Sequence, residues 1–447
     1  MKTIIPHLFY PLNPNQQFGY SVSIDGMVAA IGAPGKVAGD PSIAFIYEKN
    51  HIGQWVQKAR LMPPSGQRHF GRSVAIHGEY VIVASSWNAA MYKKPASGWN
   101  GDIQPLKVLE SNITDSDYGK SVAIWGDYAV VGDRLHNSKK GCVYVYYRNQ
   151  GGIDNWGRLK QLFGQSPDDF FGESLDIYND LIAIGAPQHA NNHGFIDVYH
   201  RNKNLADPWT LEKRITTPLT PFGPDVKFGS NVSLFEDRLA ATFNSRDPFH
   251  DWVTHFVLFE RSVYRNWPVF DISGRVNSFN AGKSVSSVAL YKELKFMTDE
   301  AIYNYSFRSG GPSFYNNTGS AFWSYFQYIE HLNMFSFNSD YWFPRQIELS
   351  EGIKWGFSID QSYHSVVVGV PGHNGAGSAE FQNDAKRHSL CDAGINLVFE
   401  NFTKPAGAYN PVNAHNITIG GNSMPAAFTT GSAMSYTANE IILKDGF

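Results

Sequence analysis

His189 and His193 stand four positions apart, the spacing at which a helix would turn two imidazoles toward one metal ion. The residues between them, Ala190-Asn191-Asn192, read as loop, so a solvated loop without fixed metal geometry is expected. Cys142 and Cys391 are the only two cysteines, too few for a disulfide framework or a four-ligand cysteine site. Cys142 falls in an apolar run and is expected to be a small buried residue, not a reactive thiol. Asp115, Asp117, Asp168 and Asp169 could gather charge, but each sits just ahead of a recurring aromatic-Gly motif, where aspartate is a turn residue. A Gly-x-Ser-x-Gly elbow, a His-Glu-x-x-His pair and a phosphate loop are all absent from the sequence. No catalytic residue is assigned, and the chain is read as a non-enzyme.

The densest chemistry is aromatic. Between Phe307 and Phe343 the chain gathers Phe, Tyr and Trp among many Ser, Asn and Gly, a mixture common in protein or sugar contact surfaces. Trp323, Tyr325, Tyr328 and Tyr341 are the candidate partner-binding residues. Two readings stand: these rings fill the core of a degenerate repeat, or they form an exposed patch that docks a partner.

Charge excludes some partners. The 447 residues carry 37 Lys plus Arg against 40 Asp plus Glu, with no run of like charge, so neither nucleic acid nor an anionic membrane is expected. No apolar stretch approaches the roughly eighteen residues of a membrane span, so no membrane insertion is expected. The start, Met1 to His7, is broken by Pro6 and His7 and does not read as a signal peptide.

What positions all these residues is a repeat. Phe18-Gly19-Tyr20-Ser21-Val22, Phe70-Gly71-Arg72-Ser73-Val74 and Tyr118-Gly119-Lys120-Ser121-Val122 are variants of one segment. It returns at Phe171-Gly172, Phe228-Gly229, Ala281-Gly282 and Trp355-Gly356, mostly at spacings of roughly 50 residues, near the period of four-stranded propeller blades. Each copy then shows a turn such as Asp25-Gly26 and an apolar run such as Tyr80 to Ala84 or Leu181 to Ile184. A run apolar on both faces predicts a strand sandwiched between sheets. It often ends in Gly-Ala-Pro, as at Gly32-Ala33-Pro34 and Gly185-Ala186-Pro187, where glycine would admit positive φ and proline would take the chain out of the ladder. An aromatic third strand follows, as at Cys142 to Tyr147, and a fourth opens at Trp55, Trp156, Trp209, Trp267 and Trp342. Tryptophan recurring at one place in the repeat predicts packing between neighbouring sheets.

The fold class predicted is all-β: a seven-bladed β-propeller over residues 1–383, and a small C-terminal β-rich element over 384–447. The last copy supplies three strands, ending near Phe381, so the segment around Leu8 and Phe9 is expected to complete that blade and close the ring. The channel-facing starts of the blades read as Ser, Val, Ala and Gly, not as a ring of His, Asp and Glu.

The pairing of Phe-Gly-x-Ser-Val with Val-x-Gly-Ala-Pro resembles the FG-GAP repeat family found in integrin α-subunits and bacterial surface proteins, over roughly residues 1–383. The resemblance implies a seven-bladed propeller used in adhesion and in protein or glycan recognition. It also implies calcium, but the loops Lys36 to Asp40 and His189 to His193 lack the Asp-x-Asp-x-Asp-Gly pattern, so no cofactor is predicted. The ending around Ala438-Asn439-Glu440-Ile441-Ile442-Leu443-Lys444-Asp445-Gly446-Phe447 is similar to short C-terminal elements of Bacteroidetes proteins, which implies a bacterial, extracellular or cell-surface setting. The function expected is a recognition or adhesion module for a protein or glycan partner. The alternative is a structural subunit of a larger surface or tail-like assembly, docked through the C-terminal element, and a carbohydrate-active enzyme sited in the channel ranks third.

Overall fold

In the first repeat, Ser21–Asp25, Val28–Ala33, Ile43–Lys49 and Trp55–Leu61 form one antiparallel meander. Its first hairpin turns at Gly26, whose φ of +58° is the left-handed conformation that such a tight turn requires. In this computed structural model the described residues are 7–9, 15–37, 39–51, 53–111, 117–203, 208–216, 226–247, 250–262 and 267. Beyond these they are the strands of 269–306, 345–347, 358–362, 365–370, 377–383, 396–400, 409–411, 416–420 and 433–434.

The meander recurs through the chain. Blade two is Ser73–His77, Tyr80–Ala84, Asn88–Lys93 and Lys107–Glu110; blade three is Tyr118–Trp125, Tyr128–Asp133, Cys142–Tyr147 and Gly157–Phe163. Blade four is Leu175–Tyr178, Leu181–Ala186, Phe195–Arg201 and Trp209–Thr216; blade five is Val232–Phe235, Arg238–Asp247, His250–Glu260 and Val269–Asp271. The last blade joins Ser358–Ser362, Ser365–Val370 and Ser378–Asn383 to the N-terminal strand His7–Phe9. A further four-stranded sheet, Ser287–Leu290, Glu293–Met297, Ile302–Ser306 and Arg345–Ile347, is described by its backbone. Its first strand begins at Ser287, and the Ala281 to Val285 stretch that the sequence assigned to a blade opening lies outside the described residues.

First strands stand side by side, Ser21–Asp25 between Ser73–His77 and Ser358–Ser362, so the blades radiate from a common axis as a β-propeller. The core sits between blades: one cluster joins Ile82 and Tyr118 across blades two and three, another joins Val143 and Ile184 across blades three and four. The second strands, sandwiched in this way, are buried on both faces, as all of Tyr80–Ala84 and Leu181–Ala186 show. Tryptophans at the fourth strands wedge the junctions. Trp156 sets its edge on Tyr80 of the preceding blade at 5.2 Å, Trp209 does so on Tyr128 at 5.5 Å, and Trp55 stacks on Phe381 of the last blade at 4.3 Å.

The motif residues turn out to be the clasp between blades. The serine hydroxyl of one blade donates to the carbonyl of the next blade's motif glycine: Ser21 to Gly71 (2.7 Å), Ser121 to Gly172 (2.8 Å), Ser174 to Gly229 (2.7 Å) and Ser358 to Gly19 (2.9 Å). That same carbonyl passes so near the glycine ending the second strand that a Cβ there would lie 2.0 Å from it at Gly32 and 1.9 Å at Gly369. These glycines are required by close approach and not, as the sequence suggested, by positive φ. Positive φ belongs to the motif glycines, +84° at Gly19 and +89° at Gly172.

Backbone pairing of His7 with Phe381, Leu8 with Glu380 and Phe9 with Ala379 joins the start of the propeller to its last blade. Deleting residues 1–10 removes this strand, and a loss of about 2 kcal/mol in stability is expected from its unmade backbone bonds; thermal melting of the truncated chain measures it.

Two features are absent from the repeat pattern. After Trp99, Gly101–Ile103 leaves blade two and pairs parallel to the outer strand of blade one, with Arg60 Nε bonded to Asp102 Oδ1 at 2.6 Å. The chain also divides into compact units Met1–Asn383 and Asp384–Phe447; in the second, Asn396–Glu400 pairs parallel with Asn416–Gly420, and Tyr409–Pro411 pairs antiparallel with Ala433–Met434.

Candidate functional site

Trp323, Tyr325, Tyr328 and Tyr341 lie outside the described residues. The chemistry that the structure does place is gathered on the propeller axis and at the two ends of the first strands.

On the axis, equivalent positions of successive first strands hold Ser23, Ala75, Ala123, Asp176, Ser233 and Asp360. Two carboxylates therefore stand where the sequence reading expected only small residues. Each ties its blade to the next. The Leu234 N–H donates to Asp176 Oδ2 at 2.7 Å, and the Ile24 N–H donates to Asp360 Oδ2 at 2.8 Å. The other oxygens accept from Ile177 and Gln361 within their own strands. Ser23 plays the same part with less charge, accepting from the Ile76 N–H at 3.2 Å. Burial pushes Asp176 up to about 7, and the Asp360 charge adds to it against the N–H bonds; burial likewise pushes Asp360 up to about 6, with Asp25 adding. Among the described residues neither carboxylate has a cationic partner.

Where the first strands end, an aromatic arc runs from blade to blade. His77 packs on Trp125 at 4.2 Å, Trp125 on Tyr178 at 4.2 Å, and Tyr178 on Phe235 at 5.0 Å. The rings occupy one another's faces, which makes the arc a seal between neighbouring blades. Its signal was present in the sequence: each ring precedes the first hairpin turn of its repeat.

Where the first strands begin, charges are interlocked. Asp117 lies 2.7 Å from Arg72 and 2.6 Å from Arg134, and Arg134 reaches Glu173 of the next blade at 2.8 Å. Burial would raise Asp117, but the two guanidiniums outweigh it and hold the carboxyl below its usual range. Asp169 serves its turn, accepting from the Gln165 and Ser166 N–H groups, both at 2.7 Å. It also fixes His189, whose Nδ1 is 2.7 Å from Asp169 Oδ1. His189 is thus anchored where a solvated loop was expected, while His193 Nδ1 turns to the Ala190 carbonyl at 2.6 Å, so the two imidazoles do not converge. Asp40 caps its own loop, accepting from the Lys36 and Val37 N–H groups at 3.1 and 2.9 Å. Cys142 is fully buried, and burial pushes its thiol far up, as the reading of a small apolar residue requires. Among the described residues no three His, Cys, Asp or Glu side chains are grouped to hold a metal ion. Nor, among them, is any helix long and apolar enough to cross a membrane.

No family model matches the chain, and no curated protein does. Among solved structures it is similar to Hsv2 of Kluyvelomyces marxianus, at 13% identity and a TM-score of 0.43 over 80% of this chain and 89% of that one. It is also similar to Sqt1 of Chaetomium thermophilum, at 11% identity and a TM-score of 0.40 over 67% of this chain and 85% of that one.

Proposed function

We propose that the chain is a seven-bladed propeller of the FG-GAP type that acts as a non-enzymatic recognition module, binding a protein or glycan through the loops around its blade openings. The seventh blade would be the sheet opened by Ser287–Leu290, whose first strand lies against both Val232–Phe235 and Ser358–Ser362. Seven motif copies in the sequence support that count. The observation that carries the function is a division of labour within the repeat. Recurring motif glycines and serines make the blade-to-blade clasps, and both axis aspartates bind N–H groups of the next blade, so these residues build the frame. The loops between second and third strands differ from blade to blade on that frame, which is the arrangement of a binding scaffold. An extracellular bacterial setting belongs to the same proposal, while docking through the C-terminal unit belongs to the alternative, a structural subunit of a larger surface or tail-like assembly.

The test is to screen the full chain on protein and glycan arrays while assaying polysaccharide turnover. Saturable binding that is lost when the exposed side chains Lys139 and His193 of these loops are changed to asparagine, with an unchanged urea midpoint, supports recognition. Turnover that disappears in Asp176→Asn overturns it in favour of a channel enzyme.

A further inference from the structure

Between blades one and two, on the face where the blades open, lies a cleft of about 560 Å³ lined by Val37, Asp40, Ser42, Gln67, Arg68 and His69. A specific residue holds it open. At three other junctions, the residue just before the third strand is a glycine bridged to the next blade's motif aromatic: Gly141 to Phe171, Gly194 to Phe228 and Gly377 to Phe18. Between blades two and three Trp87 holds this position, and its N–H donates to the Tyr118 carbonyl at 3.3 Å. A Cβ at Gly141 would lie 2.1 Å from the Phe171 carbonyl oxygen, so the bridge admits glycine alone. Ladder register puts Ser42 at this position in blade one, Ala33 pairing with Ile43 as Asp133 pairs with Cys142. No bridge joins Ser42 to Phe70. The adjoining bond also goes: the Phe171 and Phe228 N–H groups donate to Lys140 and His193, and Phe70 makes no counterpart among the described residues.

The wall contributed by blade two is built to hold a guanidinium in place. Its Arg68 carbonyl accepts from the Ser86 N–H at 2.9 Å, and Gln67 Oε1 accepts from the Ser85 hydroxyl at 2.6 Å, which leaves the Gln67 amide hydrogens uncommitted. Among the described side chains every other arginine meets a carboxylate or an aromatic ring, as Arg60 meets Asp102 and Arg158 lies over Tyr144. Arg68 meets neither. A free, exposed guanidinium beside an amide donor is suited to a carboxylate, which it can take in a bidentate pair. The facing wall offers Asp40 Oδ1, left over from the loop cap, and the Ser42 hydroxyl, a set that suits ligand hydroxyl groups.

We infer that this cleft binds a small hydroxylated carboxylate, of the kind a uronic acid residue presents, with Arg68 and Gln67 on the carboxylate and Asp40 and Ser42 on the hydroxyls. The inference rests on the reading of this face as a recognition surface and supplies a ligand class for it. A cleft of this volume is in the range that accommodates a sugar residue or two. The lining has Val37 as its one aliphatic side chain and no Phe, Tyr or Trp, so an acidic peptide would lack a large apolar anchor.

Calorimetric titration of the full chain with methyl glucuronide, methyl glucoside and glutarate tests it. Methyl glucuronide is expected to bind at least about tenfold more tightly than either comparison ligand, and Arg68→Gln, at an exposed position, is expected to remove that margin with no change in urea midpoint. Ser42→Gly, which permits the missing bridge, is expected to weaken binding while leaving the fold intact. Equal affinity for glutarate would overturn the sugar assignment in favour of an acidic side chain, and equal affinity for the glucoside would overturn the role of Arg68. A protein that binds a partner on the arrays yet ignores all three ligands keeps the recognition reading and refutes this one.

Discussion

Gly185→Ala is expected to lower the stability of the propeller by about 3 kcal/mol, the upper end of what one forced methyl group costs in a packed interior. The added Cβ would stand 2.0 Å from the Gly229 carbonyl oxygen and 2.5 Å from Ser174 Oγ. Neither can retreat alone. Ser174 Oγ donates to that carbonyl at 2.7 Å, and Gly229, at φ +87°, sits so near the neighbouring strand that a Cβ on it would lie 2.9 Å from the Phe195 carbonyl oxygen. Blades four and five would have to part, and the cluster that joins Ile196 and Val198 to Phe228 would open with them. Gly26→Ala is the control, because its φ of +58° is left-handed and its Cβ would meet nothing within 4 Å. It should cost only about 1 kcal/mol, the price of a left-handed alanine. Urea unfolding of the two variants separates close approach from backbone conformation, and equal midpoints would refute the clasp.

The repeat was legible because a clasp that recurs, as from Ser21 to Gly71, Ser121 to Gly172, Ser174 to Gly229 and Ser358 to Gly19, must be written in each repeat that uses it. Phe-Gly-x-Ser and Gly-Ala-Pro announced the strand order, and the fourth-strand tryptophans announced sheet-to-sheet packing. The reason for the glycine was not legible. Nothing in one repeat says that the carbonyl of the next will lie on its Cα, and Gly185 has no unusual φ to betray it. Asp176 and Asp360 were missed for a related reason: they occupy a position filled by Ser23 and Ala75 in other blades, so no constant residue marked it, and only ladder register shows that they share the axis. Ser42 escaped notice because its meaning lies in what it replaces. The strand Gly101–Ile103 is three residues long, too short for any alternation to register, and it pairs with a blade other than its own. His189 looked like loop by composition, which its turn is, but the anchor at Asp169 comes from twenty positions away.

Asp176 makes stability depend on pH in the direction opposite to the usual surface carboxylate. Its folded pKa, raised to about 7, exceeds the ordinary value of 3.8, so between those values the native chain binds more protons than the unfolded one. Stability is then fully present below the unfolded pKa and declines as pH rises toward 7, by on the order of 2–4 kcal/mol. Asp360, raised to about 6, adds a smaller decline that ends at lower pH. Other groups pull the opposite way: Asp117 and Glu212, held low by arginines, lose their contribution on acidification. The comparison that isolates Asp176 is therefore between wild type and Asp176→Asn, measured by urea midpoint at pH 4.5 and pH 8. Asparagine keeps a carbonyl oxygen for the Leu234 N–H but cannot ionise, so the variant is expected to gain relative to wild type as pH rises. Parallel pH profiles would mean that the axis carboxylate carries no buried charge. A variant that loses ground at pH 8 would mean that the charge itself holds blade four to blade five, reversing the sign of its contribution.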